Sequence, residues 1–259
     1  MIGSRVTALL LVLLAGTGGP ALGDEGLWTF DHFPAATVAE RHGVRIDQSW
    51  LDRVRLATVR LAGCTASFVS AEGLLLTNHH CVESCLAQNS TRDESLIETG
   101  FDADRRRQEL RCPLQIAEVL QSTEDVTATV IAAVKNLDDK AANERRRQTL
   151  VALEKSCEEE SLKVRKAMKC QAVTLYDGGQ YWLYKYRRYT DVRLVFAPED
   201  AIAAFGGDPD NFQFPRWDFD MSLLRAYEDG KPARTPNHLS IDFTGPKAGD
   251  PVFVAGHPG

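Results

Sequence analysis

The segment "GCTASFVSAEGLLLTNHHC", residues 63–81, sets the pattern around which the rest of the fold is built. Two runs of apolar and β-branched residues flank Ala71-Glu72-Gly73, a short turn that contains glycine. Such a pattern predicts a β-hairpin. The second run ends in His79, His80 and Cys81, so the hairpin would bring three side chains capable of chemistry to the end of a strand.

Further helices and strands are predicted on both sides of this hairpin. Residues 48–60 carry apolar side chains at helical spacing. The charged stretch at about 126–169 predicts one or two exposed helices, broken near residues 136–139. Strands are predicted over residues 113–124, 171–197, 220–227 and 251–255, with a turn at Asp177-Gly178-Gly179 inside the second of them.

The first 23 residues have the features of a cleavable export signal. Arg5 supplies positive charge, Val6–Leu14 is almost wholly apolar, and Ala21-Leu22-Gly23 forms a small-x-small end. The apolar run is too short to span a bilayer, and no later stretch is long and apolar enough to do so. We therefore expect a signal peptide at 1–23 and a periplasmic or secreted mature protein without a membrane span.

Charge and cysteine content narrow the class of protein. The formal net charge of −6 argues against a nucleic-acid surface, which needs a basic patch. Six cysteines in an exported chain predict disulfides rather than free thiols. The sequence by itself leaves about fifteen pairings open.

Three interpretations of the histidine cluster compete. A metal site could draw on His79, His80, Cys81 and Cys85, but neighbouring side chains on a strand point to opposite sides, and the spacing matches no common structural zinc pattern. The other two interpretations are a catalytic histidine and a turn histidine satisfied by backbone hydrogen bonds. We expect no metal and no cofactor, and we expect His79 to be structural.

The segment that ends in His80 and Cys81 resembles the histidine segment of chymotrypsin-like peptidases. In those proteins the cysteine beside the histidine is bonded to a cysteine on the preceding strand, so the resemblance implies a Cys64–Cys81 disulfide. Such a bridge would hold the histidine rigidly, and a general base needs this geometry before its pKa matters.

A catalytic histidine needs a carboxylate partner and a nucleophile. Asp220 opens the predicted strand "DMSLLRAY", a setting typical of the carboxylate in such triads, while Asp218 and Asp208 are competing candidates. No serine of the chain lies in a Gly-x-Ser-Gly setting that would place its hydroxyl beside oxyanion-hole amides. We therefore expect the nucleophile beyond Gly259, in a protein of which residues 24–259 are the N-terminal part of the peptidase domain.

Five motifs in order resemble the bacterial dipeptidyl-peptidase 7 and 11 family, serine exopeptidases of Gram-negative bacteria. They are "EGLWTFDHFP", "GCTASFVSAEGLLLTNHHC", "LYKYRRYTDVRLVFAPE", "FGGDPDNFQFPRWDFDMSLLRAY" and "AGHPG". The resemblance implies a mainly β fold, the first part of a double chymotrypsin-like β-barrel with a helical insertion. It also implies the removal of dipeptides from the amino end of peptides.

The resemblance assigns roles to four residues. His80 is the general base, Asp220 its orienting carboxylate, and Asn211 a residue that holds the free α-amine of the peptide. An amide carbonyl suits this last role because an ammonium group offers three donors and a charge. Phe212 stands where the family typically has Trp, which preserves aromatic packing but removes an indole N–H.

Two alternative functions stay open. A chymotrypsin-like endopeptidase would need no group to bind a free amine, and a noncatalytic peptide-binding module could retain the barrel. The expected partner in each case is a peptide, with its free N terminus bound in the exopeptidase. The oligomeric state is not fixed by the sequence, and a homodimer of the full-length protein stays open.

Overall fold

The computed structural model describes residues 26–163, 168–203 and 218–257. The expected signal peptide and the segment with Asn211 and Phe212 lie outside these residues. The chain divides into two units, Met1–Pro34 and Ala35–Gly259. In the first unit the described residues form a turn, in which the His32 amide donates to the Thr29 carbonyl at 3.0 Å.

The described residues of the second unit form a sheet of eleven strands whose pairings are all antiparallel. The strands are β1 (Thr58–Leu61), β2 (Cys64–Phe68), β3 (Leu74–Thr77), β4 (Phe101–Asp102), β5 (Leu110–Arg111), β6 (Ala117–Asp125), β7 (Met168–Leu175), β8 (Gln180–Tyr189), β9 (Asp191–Ala197), β10 (Ser222–Glu228) and β11 (Lys231–Pro232). Their order is β4-β9-β10-β3-β2-β1-β6-β8-β7, with β5 beside β9 and β11 beside β10.

Helices contribute about as many residues as strands. They are α1 (Ala35–His42), α2 (Gln48–Ala57), α3 (Glu83–Asn89), α4 (Leu96–Thr99), α5 (Thr127–Val134), α6 (Asp139–Lys163) and α7 (Asp200–Ala203). The described chain is therefore mixed α/β with an antiparallel sheet, which corrects the expectation of a mainly β fold. The long charged helix α6 lies where the sequence predicts it, and the predicted break separates it from α5.

The predicted hairpin at residues 63–81 is confirmed by the pairing of β2 with β3, in which Ser67 lies opposite Leu76. Gly73 closes its turn with a φ of +71°, and a Cβ atom there would lie 2.6 Å from the carbonyl oxygen of Ala226. Only glycine fits this combination of positive φ and close backbone approach. The hairpin is therefore locked against β10 at its turn.

Among the described residues, two apolar clusters stabilise the second unit. The larger lies among the central strands and helix α3, with Phe68, Leu75, Leu86 and Leu224 at most 1% exposed. The smaller lies where α5 and α6 cover the strands β6–β8, and its buried residues are Val126, Val130, Cys170, Tyr181 and Leu183. Burial of such side chains is the main favourable contribution to folding.

One helix boundary and one strand differ from the sequence predictions. The helix predicted over residues 48–60 ends at Ala57, because the next residues pair with β2 and β6 as strand β1. The strand predicted at 251–255 is wrong, since these residues pair with none of the described strands and Val254 is fully exposed. A segment of alternating apolar residues becomes a strand only when the edge of a neighbouring strand completes its hydrogen bonds.

No helix in the described ranges combines the length and apolarity that a membrane crossing requires.

Candidate active site

The end of β3 and the beginning of β10 meet in the sheet. Thr77, the last residue of β3, lies opposite Ser222, the first residue of β10. Because the two strands are antiparallel, the turn that follows β3 lies beside the segment that precedes β10. This pairing brings together two parts of the chain that are about 140 residues apart, namely His80 and Asp220.

The ring of His80 contacts the carboxylate of Asp220. His80 Nδ1 lies 2.9 Å from Asp220 Oδ2, the geometry of a hydrogen bond. The histidine side chain is 59% exposed and the aspartate side chain 17% exposed. With Nδ1 donating to the carboxylate, Nε2 is left as the free acceptor on a ring that solvent can reach.

Asp220 is held by further donors from the same turn. Its Oδ1 accepts the backbone amides of His79 at 2.7 Å and His80 at 3.2 Å, and its Oδ2 accepts Asn78 Nδ2 at 3.0 Å. Burial on its own raises the pKa of Asp220, but the hydrogen bonds from the amide and ring of His80 and from the amide of His79 lower the pKa below its ordinary value. The carboxylate is therefore kept ionised beside the imidazole.

A disulfide fixes the turn to the first strand of the hairpin. Cys81, next to His80, is bonded to Cys64 at the start of β2, as the resemblance to chymotrypsin-like peptidases implies. A second disulfide joins Cys85 of helix α3 to Cys112. Both of these cysteines, Cys81 and Cys85, follow His80 in the chain, so two covalent links limit how far the backbone after His80 can move.

The other residues proposed for the site are placed as follows. Asp220, rather than its competitor Asp218, contacts His80, while Asp208, Asn211 and Phe212 lie outside the described residues. His79 is buried with 1% exposure, and the exposed side chain next to it belongs to His80. The two histidines therefore lie in opposite environments, although they belong to the turn after β3, which ends at Thr77, and not to a strand as the sequence argument assumed.

None of the described serines is hydrogen-bonded to the ring of His80. Ser222, two residues after Asp220, is fully buried, and its Oγ has no partner in the described part of the chain. A buried hydroxyl that the base does not contact cannot serve as its nucleophile. The described residues thus provide a histidine and a carboxylate in triad geometry but no serine beside them.

Asn78 is a site residue that the sequence reasoning missed. Its Nδ2 donates both to Asp220 Oδ2 and to the Asp220 carbonyl oxygen, at 3.0 and 3.2 Å. The sequence contained a signal for this role. Asn78 lies between the end of β3 and the candidate base, and a polar side chain there can bond to a residue that precedes the neighbouring strand.

The pattern of the peptidase S46 family matches residues 23–259 of the chain. An Asp/Glu-specific dipeptidyl-peptidase of Shewanella putrefaciens is 34% identical over 267 residues, which cover 96% of this chain and 36% of that protein. A dipeptidyl-peptidase 7 of Phocaeicola vulgatus is 30% identical, with 97% of this chain and 38% of that protein covered. The chain thus spans about a third of the length of these curated relatives.

The fold is similar to that of a solved relative. The crystal structure of Porphyromonas endodontalis DPP11 in complex with the dipeptide Arg-Glu superposes with a TM-score of 0.76 at 27% identity, covering 88% of this chain and 35% of that one. The chain belongs to the peptidase S46 family.

Proposed function

We propose that this chain supplies the general base and its orienting carboxylate to a serine-type dipeptidyl-peptidase, which removes dipeptides from the free amino end of peptides. The observation that carries the proposal is the 2.9 Å contact between His80 Nδ1 and Asp220 Oδ2 on an exposed ring. Membership of the peptidase S46 family supports the interpretation of this contact as part of a peptidase active site.

In the proposed reaction, His80 Nε2 takes the proton from a serine hydroxyl as that oxygen attacks the scissile carbonyl. The imidazolium then donates the proton to the leaving amine. Asp220 fixes the tautomer through Nδ1–H and stabilises the positive charge that forms on the ring. The serine would come from a part of the protein outside residues 1–259, as would its oxyanion hole.

The exopeptidase activity requires a group that recognises a free α-amine. We assign this role to the side-chain carbonyl of Asn211, with the ring of Phe212 packing under the bound peptide, on the resemblance to the family alone. Binding the amine would fix the register of the peptide, so that the second peptide bond lies at the serine.

Two further parts of the proposal concern architecture and location. The antiparallel sheet with the base at a strand end supports a chymotrypsin-like first barrel, with helices α5 and α6 inserted between β6 and β7. The pairing of all six cysteines in disulfides supports export to the periplasm or the medium through the signal peptide at 1–23.

The test uses the full-length protein and peptides that end in a fluorogenic amide, each prepared with a free and with an acetylated N terminus. We expect release from free-amine dipeptidyl substrates only, with loss of turnover in His80→Ala. Cleavage of the acetylated peptides would instead indicate an endopeptidase. Saturable peptide binding without turnover in the wild-type protein would indicate a noncatalytic module.

A separate assay tests whether the nucleophile lies outside residues 24–259. We expect residues 24–259 alone to release no dipeptides, because the described residues place no serine at His80. Dipeptide release by this segment that disappears in His80→Ala would overturn that expectation and would place the nucleophile within residues 24–259.

A further inference from the structure

The ring of His79 is buried and unpaired. The residue is 1% exposed, and neither Nδ1 nor Nε2 has a hydrogen-bond partner among the described residues. A neutral imidazole presents one N–H donor and one acceptor, and buried polar groups of this kind are nearly always satisfied. A ring with both nitrogens unsatisfied therefore indicates that a ligand belongs beside it.

Two carboxylates lie next to this ring. One ligand atom from each of His79, Glu83 and Asp200 can be chosen so that all three lie within 4.8 Å of one another. Glu83 is the first residue of α3 and is exposed, while Asp200 is the first residue of α7 and is half-buried. None of the described cationic side chains forms an ion pair with either carboxylate, so the two negative charges face the ring uncompensated.

In place of the expectation from the sequence that the chain holds no metal and that His79 is structural, we propose that His79, Glu83 and Asp200 bind a divalent transition-metal ion of the Zn²⁺ class, with water completing its coordination. Ligand atoms around a tetrahedral Zn²⁺ are about 3.4 Å apart, so the three atoms, which lie within 4.8 Å of one another, would close in on a bound ion by side-chain rotation. One imidazole with two carboxylates suits Zn²⁺, whereas Mg²⁺ and Ca²⁺ prefer oxygen ligands only.

A second cluster meets the same distance criterion but cannot hold a metal in the same way. It consists of Cys64, His80 and Cys81. The two sulfur atoms are joined in a disulfide and are therefore not thiolate ligands. The ring of His80 is also engaged by Asp220 through Nδ1. The buried side of the turn, at His79, is thus the better site for an ion.

The proposed ion would connect the segment that carries His80 with the segment that leads to Asp220, on the buried side of the turn. His79 belongs to the turn that carries His80, and its amide donates to Asp220. Asp200 begins α7, in which the Ile202 carbonyl oxygen accepts the amide of Phe219 at 2.8 Å, one residue before Asp220. A metal that bridges Asp200 and His79 would therefore stabilise the contact between base and carboxylate without touching substrate.

The test measures Zn²⁺ binding to the purified full-length protein after EDTA treatment, by equilibrium dialysis with metal analysis. We expect one saturable class of sites and a melting temperature that rises with Zn²⁺ and falls again with EDTA. The double variant Glu83→Gln/Asp200→Asn keeps the shape of both side chains and should weaken Zn²⁺ binding at least about tenfold. The matched control is Glu160→Gln/Asp104→Asn, which makes the same charge change at exposed positions elsewhere and should bind as the wild type does.

Two further variants make the result decisive. Glu83→Ala removes an exposed side chain and should also weaken binding about tenfold, even if the double variant fails to fold. His80→Ala should retain binding, because His80 is not a proposed ligand. The absence of saturable binding by the wild type, equal affinity in wild type and Glu83→Ala, or loss of binding in His80→Ala would each overturn the proposal. None of these readouts depends on peptidase activity.

Discussion

Asp220 accepts the backbone amide of His79 at 2.7 Å, one residue before the histidine whose ring the same carboxylate contacts at 2.9 Å. One side chain, from the segment that precedes β10, thus fixes both the backbone of the turn after β3 and the orientation of the imidazole on it. The position of the base is therefore decided by a residue about 140 positions away in the sequence.

The first prediction concerns Asp220→Asn in the full-length protein. We expect a fall in kcat of about 10⁴-fold, because an amide can donate to His80 Nδ1 and so leave Nε2 protonated and unable to accept the serine proton. The measurement is steady-state hydrolysis of a free-amine dipeptidyl substrate. Asp218→Asn is the matched control and should stay within about tenfold of the wild type. A larger loss in the control than in Asp220→Asn would show that the wrong carboxylate has been assigned.

The second prediction concerns Asn78, which we regard as a positioning residue for Asp220. Asn78→Ala removes the two hydrogen bonds that Asn78 Nδ2 donates to Asp220, and we expect kcat to fall about tenfold to a hundredfold while KM stays unchanged, as for the loss of a hydrogen bond to a charged group. Asn89→Ala is the matched control, since Asn89 Nδ2 donates to the backbone carbonyls of Cys85 and Arg111 and to neither His80 nor Asp220. A rise in KM with unchanged kcat would contradict the positioning role.

The third prediction separates the roles of two disulfides. Replacing both cysteines of Cys64–Cys81 or of Cys157–Cys170 with serine opens loops of 17 and 13 residues, and each change should cost about 3 kcal/mol of unfolding free energy. Only the first pair lies beside His80. We therefore expect kcat to fall in Cys64→Ser/Cys81→Ser and to be retained in Cys157→Ser/Cys170→Ser at a temperature where both are folded. Urea unfolding and peptide hydrolysis provide the two readouts, and equal loss of activity in both variants would refute the distinction.

The fourth prediction concerns the charge network around Glu118. Its carboxylate accepts hydrogen bonds from Arg60 and Arg188. Burial on its own raises the pKa of Glu118, but the hydrogen bonds and charges of the two arginines outweigh burial and lower the pKa below its ordinary value of 4.5. We expect Glu118→Gln to destabilise the fold at pH 7 by about 1–3 kcal/mol, because two partly exposed guanidinium groups lose their partner.

The sign of its pH dependence follows from the lowered pKa. The stability that Glu118 contributes is present in full above its unfolded pKa, near 4.5, and is lost as the pH falls through the lower folded value. Urea unfolding of wild type and Glu118→Gln at pH 7 and at several values below 4.5 should therefore show a difference that shrinks with acidity. A difference that stays constant over this range would indicate that Glu118 is not the titrating group.

Several local features followed from the sequence alone. The hairpin at residues 63–81, the break between α5 and α6 and the turn between β7 and β8 were predicted from local patterns of turn and apolar residues. The Cys64–Cys81 pairing followed from the resemblance to known peptidases rather than from spacing. The boundary at Ala57 and the segment 251–255 were predicted wrongly, because whether an apolar run becomes a strand depends on a neighbour that the local pattern does not contain.

The sequence by itself determined which side chains are capable of chemistry and where the chain turns, since turn residues and side-chain periodicity act over a few positions. The sequence favoured Asp220 over Asp218 and Asp208, but only the tertiary structure shows that it contacts His80, because this contact depends on the register of β3 against β10. The tertiary structure also decided that His79 is buried beside Glu83 and Asp200. These relationships join residues distant in sequence, and only the packed sheet brings them within hydrogen-bonding or ligand distance.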